Sequence, residues 1–167
     1  MSNFEKNLEQ ALVNAKRLTD KILIDGKLVS AQSKNKIPVL NPSTGENIGS
    51  APQCDTNDVN IAVESAHKAF QKWKKIPARE RGKMVAAGAK RLEERKSEIE
   101  TLLSLDTGNA LRTQAIPETG ASIELTNMFA GLSGELKGEN YPTNIPNSIH
   151  YTTRDPIGVV CAIVPWN

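Results

Sequence analysis

At 167 residues the chain is long enough for one hydrophobic core, and its 21 Lys and Arg against 19 Asp and Glu leave a net charge of only +2. Basic and acidic residues are interleaved along the whole length, which argues against a nucleic-acid or anionic-membrane partner. Two cysteines, Cys54 and Cys161, are too few and too far apart for a disulfide framework or a metal site, and no stretch approaches the ~20 apolar residues of a membrane span. The composition reads as a soluble protein of a reducing cytoplasm.

Phe4, Leu8, Leu12 and Ala15 fall on one helical face and predict an amphipathic helix over residues 3–19, with Ser2 or Asn3 able to cap it. Ile22-Leu23-Ile24 and Lys27-Leu28-Val29 flank Asp25-Gly26, a dipeptide that tolerates φ > 0 at both turn positions and so predicts a tight hairpin. A strand around Ile37 to Leu40 leads into Asn41-Pro42-Ser43-Thr44-Gly45-Glu46, which is turn chemistry, and Ile48 to Ala51 reads as the returning strand.

From Asp55 the period becomes helical. Val59, Ala62, Val63, Ala66, Phe70 and Trp73 form an i, i+3, i+4, i+7 stripe that Asp55 and Asp58 can cap. Pro77 suits the first turn of a further helix reaching about Glu94, with Met84, Val85, Ala89 and Leu92 on one side. Ser97-x-x-Glu100 has capping-box form and predicts the start of another, through Ile99, Leu102, Leu103 and Leu105 to a stop at Gly108. A last long helix is expected over Thr113 to Leu132, with Pro117 near its first turn and Ile116, Ile123, Met128, Phe129 and Leu132 marking an apolar side.

Beyond Gly138 the pattern is extended. Glu139 to Ile145 and Ser148 to Arg154 read as two strands of a hairpin, the first placed at an edge by Pro142 and Pro146. Ile157-Gly158-Val159-Val160-Cys161-Ala162-Ile163-Val164 is wholly apolar or Gly, as expected of a strand covered on both faces in a parallel sheet. Within such a strand the Cys161 thiol would be buried, its pKa raised and its access blocked, so Cys161 is rejected as a nucleophile. Cys54 reads as an ordinary loop thiol, His67 and His150 as surface residues, and the Arg79 to Arg95 charge run as a solvated helix face. No GxGxxG, Walker-type loop or metal motif occurs. On its own Asn167 is a turn or loop residue, yet it follows the carboxyl end of the expected strand, where open α/β sheets bind ligands.

Taken in order, several segments carry a resemblance: Ile24-Asp25-Gly26-Lys27, Leu40-Asn41-Pro42-Ser43-Thr44-Gly45-Glu46, Asp58-Val59 with Ala62-Val63 and Ala69-Phe70 before Trp73, Leu105-Asp106-Thr107-Gly108, Phe129-Ala130-Gly131, and Asp155-Pro156-Ile157-Gly158-Val159-Val160 running to Pro165-Trp166-Asn167. Over about residues 20–167 the chain resembles the aldehyde dehydrogenase superfamily. The resemblance implies an α/β fold, aldehyde dehydrogenase-like, in which helices and short β-hairpins precede an incomplete Rossmann-like parallel sheet. It divides the chain into an N-terminal helix (1–19), the first part of an NAD(P)-binding domain (20–137), an oligomerisation hairpin (138–155) and a first buried strand (156–167).

In that family a cysteine thiolate attacks the aldehyde, hydride passes to the nicotinamide of NAD or NADP, and a glutamate activates the water that releases the acid. Asn167 matches the family asparagine whose amide stabilises the oxyanion; Ile163, Val164, Pro165 and Trp166 match positions lining the dinucleotide site. Leu40, through its carbonyl, and Asp106 match positions that hold a structural monovalent cation in some relatives, although Asp106 also reads as closing a helix end. The nucleophile, the general base and most of the cofactor site would lie beyond residue 167, so the chain is expected to be an inactive fragment of a cytoplasmic enzyme that is a homodimer or homotetramer. The alternative is a noncatalytic module that binds a full-length relative through the hairpin at 139–154. A CoA-acylating relative fits less well, because that branch often departs from Pro-Trp-Asn.

Overall fold

A computed structural model describes residues 3–164, and side chains from residue 5 onward. Helix α1, Asn3–Leu18, is followed by the hairpin β1, Lys21–Ile24, and β2, Lys27–Ser30. Asp25 and Gly26 at its tip take φ of 51° and 71°, the pair of positive angles a two-residue turn needs to match the twist of its strands. Strands β3, Lys36–Leu40, and β4, Asn47–Pro52, form a second antiparallel pair, with Ile37 opposite Ala51 and an irregularity between Val39 and Leu40. The backbone amide of Asp20 donates to the Ser50 carbonyl at 2.9 Å, tying the first hairpin to the second.

Four helices follow: α2, Thr56–Trp73; α3, Ala78–Glu94; α4, Lys96–Thr107; and α5, Ile116–Gly131. Asp55 and Asp58 make the expected capping box at α2. The capping box expected at Ser97 does not form: α4 begins at Lys96 directly after Arg95, Ser97 lies inside the helix, and its carbonyl accepts from the Thr101 hydroxyl at 2.8 Å. With one residue between α3 and α4, the new helix takes its first carbonyl partners from the chain already turning there, as Ile99 N–H to Arg95 O shows at 3.1 Å. The stop at Gly108 is as expected, with φ 75° at the left-handed cap. Helix α5 starts later than its apolar pattern predicts, because Leu111–Ala115 form a π-helical turn before Pro117 enters the first α turn.

The core lies where α3 packs along α5, and where α1 packs on α4. Among the described residues its buried apolar members are Ala11, Ala89, Ala115, Ile123 and Ala130, with no large side chain fully enclosed. Close backbone approach takes the place of bulk. A Cβ on Gly82 of α3 would stand 2.6 Å from the Ala130 carbonyl oxygen of α5 and 2.2 Å from the Ser133 hydroxyl. Of the apolar side expected on α5, Ile123 is buried, whereas Met128, Phe129 and Leu132 are exposed.

Two extended regions depart from expectation. The hairpin near the end shrinks to β5, Asn140–Tyr141, against β6, His150–Tyr151, because Pro142 and Pro146 cannot donate to a ladder. Residues 157–164 form no strand, and Ile157, Val160, Ile163 and Val164 are 93%, 72%, 95% and 76% exposed. Cys161 is therefore exposed, not buried. A doubly covered strand exists only through its neighbours, and the three two-stranded sheets among the described residues are all antiparallel pairs that leave this segment unpaired.

Candidate functional site

The carboxyl end of the 157–164 segment is the sequence-predicted site. Ile163 and Val164 present their side chains to solvent, and residues 157–164 make no backbone–backbone hydrogen bond among the described residues. Peptide groups and apolar side chains thus stand open together. Gly158, at φ 117°, permits the segment to leave the body of the chain in a backbone conformation that side-chain-bearing residues rarely adopt. Pro165, Trp166 and Asn167 lie outside the described residues.

Behind this segment runs a trough of about 870 Å³ between Val159 and Val160 on one side and Ile61, Ala69, Trp73 and Ile76 on the other. Its helical wall is held at the start of α2 by Asp58. That carboxylate is 3% exposed and accepts the backbone amides of Gln32 at 2.7 Å, Ser33 at 3.3 Å and Asp55 at 3.2 Å. The Gln32 amide is the main cause holding the Asp58 pKa below its ordinary value, against the opposing effect of burial. One side chain therefore caps α2 and anchors the loop after β2. The pattern from Asp55 onward marks Asp58 as a cap, while its bonds to Gln32 and Ser33 join residues more than twenty positions away and carry no local sequence signal.

The two candidate cation residues come to one region. Leu40 ends β3, while Asp106 is exposed in the last turn of α4 and lines a groove of about 380 Å³ with Val39, Ile48, Leu18 and Leu102. Pro42 and Gly108, two residues beyond each, are in contact: a Cβ on Gly108 would lie 2.7 Å from Pro42 Cγ. Among the described residues, no group of three or more His, Cys, Asp or Glu is arranged to hold a metal ion. Cys54 is exposed in the loop before α2, His67 pairs with Gln71 on the surface of that helix, and His150 is exposed in β6. The charge run of α3 is a solvated face, where Lys83 bonds Glu80 and Arg91 bonds Glu94.

The sequence pattern of the aldehyde dehydrogenase family matches residues 28–167. The chain belongs to the aldehyde dehydrogenase family. It is 35% identical over 162 residues to phenylacetaldehyde dehydrogenase of Pseudomonas fluorescens, covering 93% of this chain and 32% of that one. It is likewise 35% identical over 150 residues to a mitochondrial benzaldehyde dehydrogenase of Antirrhinum majus, covering 89% and 28%. Among solved structures, betaine aldehyde dehydrogenase of Staphylococcus aureus in complex with NAD+ superposes with a TM-score of 0.77 at 28% identity, over 86% of this chain and 29% of that one. The chain spans roughly a third of the length of the curated relatives it matches. The expected α/β fold class thus stands, while the parallel sheet it anticipated has no strand among the described residues.

Proposed function

We propose that this chain supplies the oxyanion-stabilising end and one wall of the dinucleotide site of an enzyme that oxidises an aldehyde to a carboxylic acid with NAD or NADP. The observation that carries the reading is the family match running unbroken to residue 167, so that Pro165-Trp166-Asn167 falls inside it. The Asn167 side-chain amide donates a hydrogen bond to the carbonyl oxygen of the aldehyde as that oxygen gains negative charge. A donor fixed in advance at such an oxygen lowers the barrier by roughly 3–4 kcal/mol.

Ile163 and Val164 fit a dinucleotide contact: exposed apolar side chains next to unpaired peptide groups suit a flat ring with polar edges. The family resemblance assigns Pro165 and Trp166 to the same dinucleotide contact. When bound, the dinucleotide supplies the hydride acceptor. Ile163 to Trp166 would position it by contact and keep water away, while the nucleophilic cysteine and the base come from sequence beyond residue 167. Cys161 is exposed rather than buried, so burial no longer argues against it; it and Cys54 are left out of that part because the resemblance puts the nucleophile beyond residue 167. The 167-residue chain alone is read as inactive.

The Leu40 carbonyl and Asp106 would hold a monovalent cation that braces β3 against α4, a reading supported by the Pro42–Gly108 contact beside them. The segment 138–155 is read as the contact with a second subunit of a homodimer or homotetramer; Tyr141, Ile145, Ile149 and Tyr151 leave apolar surface exposed there. The cytoplasmic location is read from the cysteine content alone, with Cys54 and Cys161 too far apart in sequence for a disulfide framework; separately, no helix among the described residues is long and apolar enough to cross a membrane.

The test is direct. A polypeptide continuing past Asn167 is assayed for NAD(P)-dependent oxidation of phenylacetaldehyde, benzaldehyde and betaine aldehyde. Turnover of at least one is expected, and Asn167→Ala lowers kcat by roughly 100–1000-fold with the fold unchanged. Turnover at the unsubstituted rate in that variant sinks the assignment.

A further inference from the structure

Helix α1 lies ahead of residue 28, where the match to the family pattern begins, yet it is fixed to the body of the chain at two points. The Asn14 amide donates to Glu98 of α4 at 2.7 Å. At the other tie, Gly49 of β4 comes so close to the helix end that a Cβ there would stand 2.9 Å from the Thr19 hydroxyl. Held at both ties, the walls leave a groove of about 380 Å³ with an apolar lining from Ala15 and Leu18 of α1, Val39 of β3, Ile48 of β4, and Leu102 and Leu103 of α4. A cleft of this size, mostly apolar and built by elements already locked together, has the character of a small-molecule site.

Past Thr19, Gly49 and Ser50 the groove continues into a second hollow of about 430 Å³, lined by Lys16, Lys36 and Asn47. Asp106 belongs to the first hollow and the two lysines to the second, so charge runs from negative at one end to positive at the other. Lys36 is paired with Asp20. Lys16, exposed in the last turn of α1, has no ion pair or side-chain hydrogen bond among the described residues, and its three N–H donors are open. The apolar floor selects an alkyl chain, and the free ammonium at its mouth selects an anion. Asp106 repels that anion from the far end, which sets the orientation. We infer that the groove between α1, β4 and α4 binds an amphipathic monocarboxylate of fatty-acid type, its tail between Leu18 and Leu102 and its carboxylate at Lys16. The site does not use the dinucleotide wall at Ile163 and Val164, so it stands or falls apart from the proposed oxidation.

Decanoate, decanol and acetate are titrated into the isotope-labelled chain and followed by amide chemical shifts, below the concentration at which decanoate forms micelles. Saturable shifts are expected for decanoate at Leu18, Ile48 and Leu102; acetate gives none, and decanol binds about tenfold more weakly for want of the charged hydrogen bond. Shortening the tail to octanoate should weaken binding by up to roughly fourfold per methylene removed. Lys16→Gln, at an exposed position, should weaken decanoate about tenfold and leave decanol unchanged, a split that loss of structure would not give. Leu18→Asp, at a position 40% exposed, should abolish binding of both with circular dichroism unchanged. The inference is overturned by the absence of saturable shifts, by shifts confined to other parts of the chain, by equal affinity for decanoate and decanol, or by equal decanoate affinity with and without the Lys16 ammonium. If Leu18→Asp does not fold, the Lys16→Gln comparison decides alone.

Discussion

Gly108 closes α4 in the left-handed conformation with its α-carbon directly against the Pro42 ring, so that a side chain there would reach within 2.7 Å of Pro42 Cγ. Two turns more than sixty residues apart in sequence are thereby parts of one joint. Gly108→Ala is expected to lose about 1–3 kcal/mol of stability, from the positive φ and from the contact together. In urea denaturation, Pro42→Ala on the Gly108→Ala background should recover part of that loss. Full additivity of the two changes would show that the residues do not press on each other.

Gly82 meets a different obstacle, because the nearest backbone atom is the Ala130 carbonyl oxygen, which cannot swing aside. Gly82→Ala should cost about 1–3 kcal/mol. Adding Ser133→Gly, which removes the hydroxyl also in the way, should restore little. Thermal melting of the single and double variants separates the two contacts, and complete recovery in the double variant would assign the strain to Ser133 alone.

Asp58→Ala leaves the Gln32, Ser33 and Asp55 amides without their acceptor and removes half of the α2 capping box. The expected outcome is a melting point lower by several degrees and faster amide exchange at Gln32 and Ser33, with exchange in α5 unaffected. Asp58→Asn, which keeps one acceptor oxygen, should fall between the two. Unchanged exchange at Gln32 would refute the anchoring role.

Glu98 links α1 to α4: it accepts from Asn14 at 2.7 Å and from Arg95 at 2.6 and 2.9 Å. The hydrogen bonds from Arg95 are the first cause of its pKa lying below the ordinary 4.5, with the Arg95 charge, the Arg17 charge and Asn14 adding and burial opposing. A carboxylate with a depressed folded pKa binds fewer protons in the folded state than in the unfolded one. Its contribution is complete above the unfolded value and is lost as pH falls through the lower, folded one. Denaturation midpoints measured from pH 7 down to pH 3 should therefore decline below about pH 4.5. Glu98→Gln should flatten part of that decline and cost ~1 kcal/mol at pH 7; the same slope with and without Glu98 would remove it from the account.

Local chemistry made most of the elements readable. Asp25-Gly26, the 3.6-residue stripe of α2 and the glycine at 108 each act over a few residues, and the structure has all three where the pattern puts them. The errors arose where neighbours decide. Ser97 could not cap because α3 delivers the chain into α4 with one residue between them, and nothing in Ser97-x-x-Glu100 encodes that junction. An apolar octet such as 157–164 declares that it needs cover without containing it, so Cys161 passed for buried when it is exposed. Asp58 and Gly108 were recognisable as a cap and a stop; the loop and the ring they serve are tertiary facts. At the candidate site, Ile163 and Val164 are open to solvent, and the motif that names the chemistry lies just past them.

The seam between α3 and α5 has a consequence for how this chain tolerates change. Its buried apolar positions are mostly alanine, and no large side chain is wholly enclosed, so truncation has little volume to remove there. Enlargement is the sensitive direction, since one added methyl group at Gly82 would meet a peptide carbonyl. Evolutionary drift along this seam should accordingly run among Gly, Ala and Ser, and the separation of two helix axes, more than the fit of any large side chain, is what selection would hold constant.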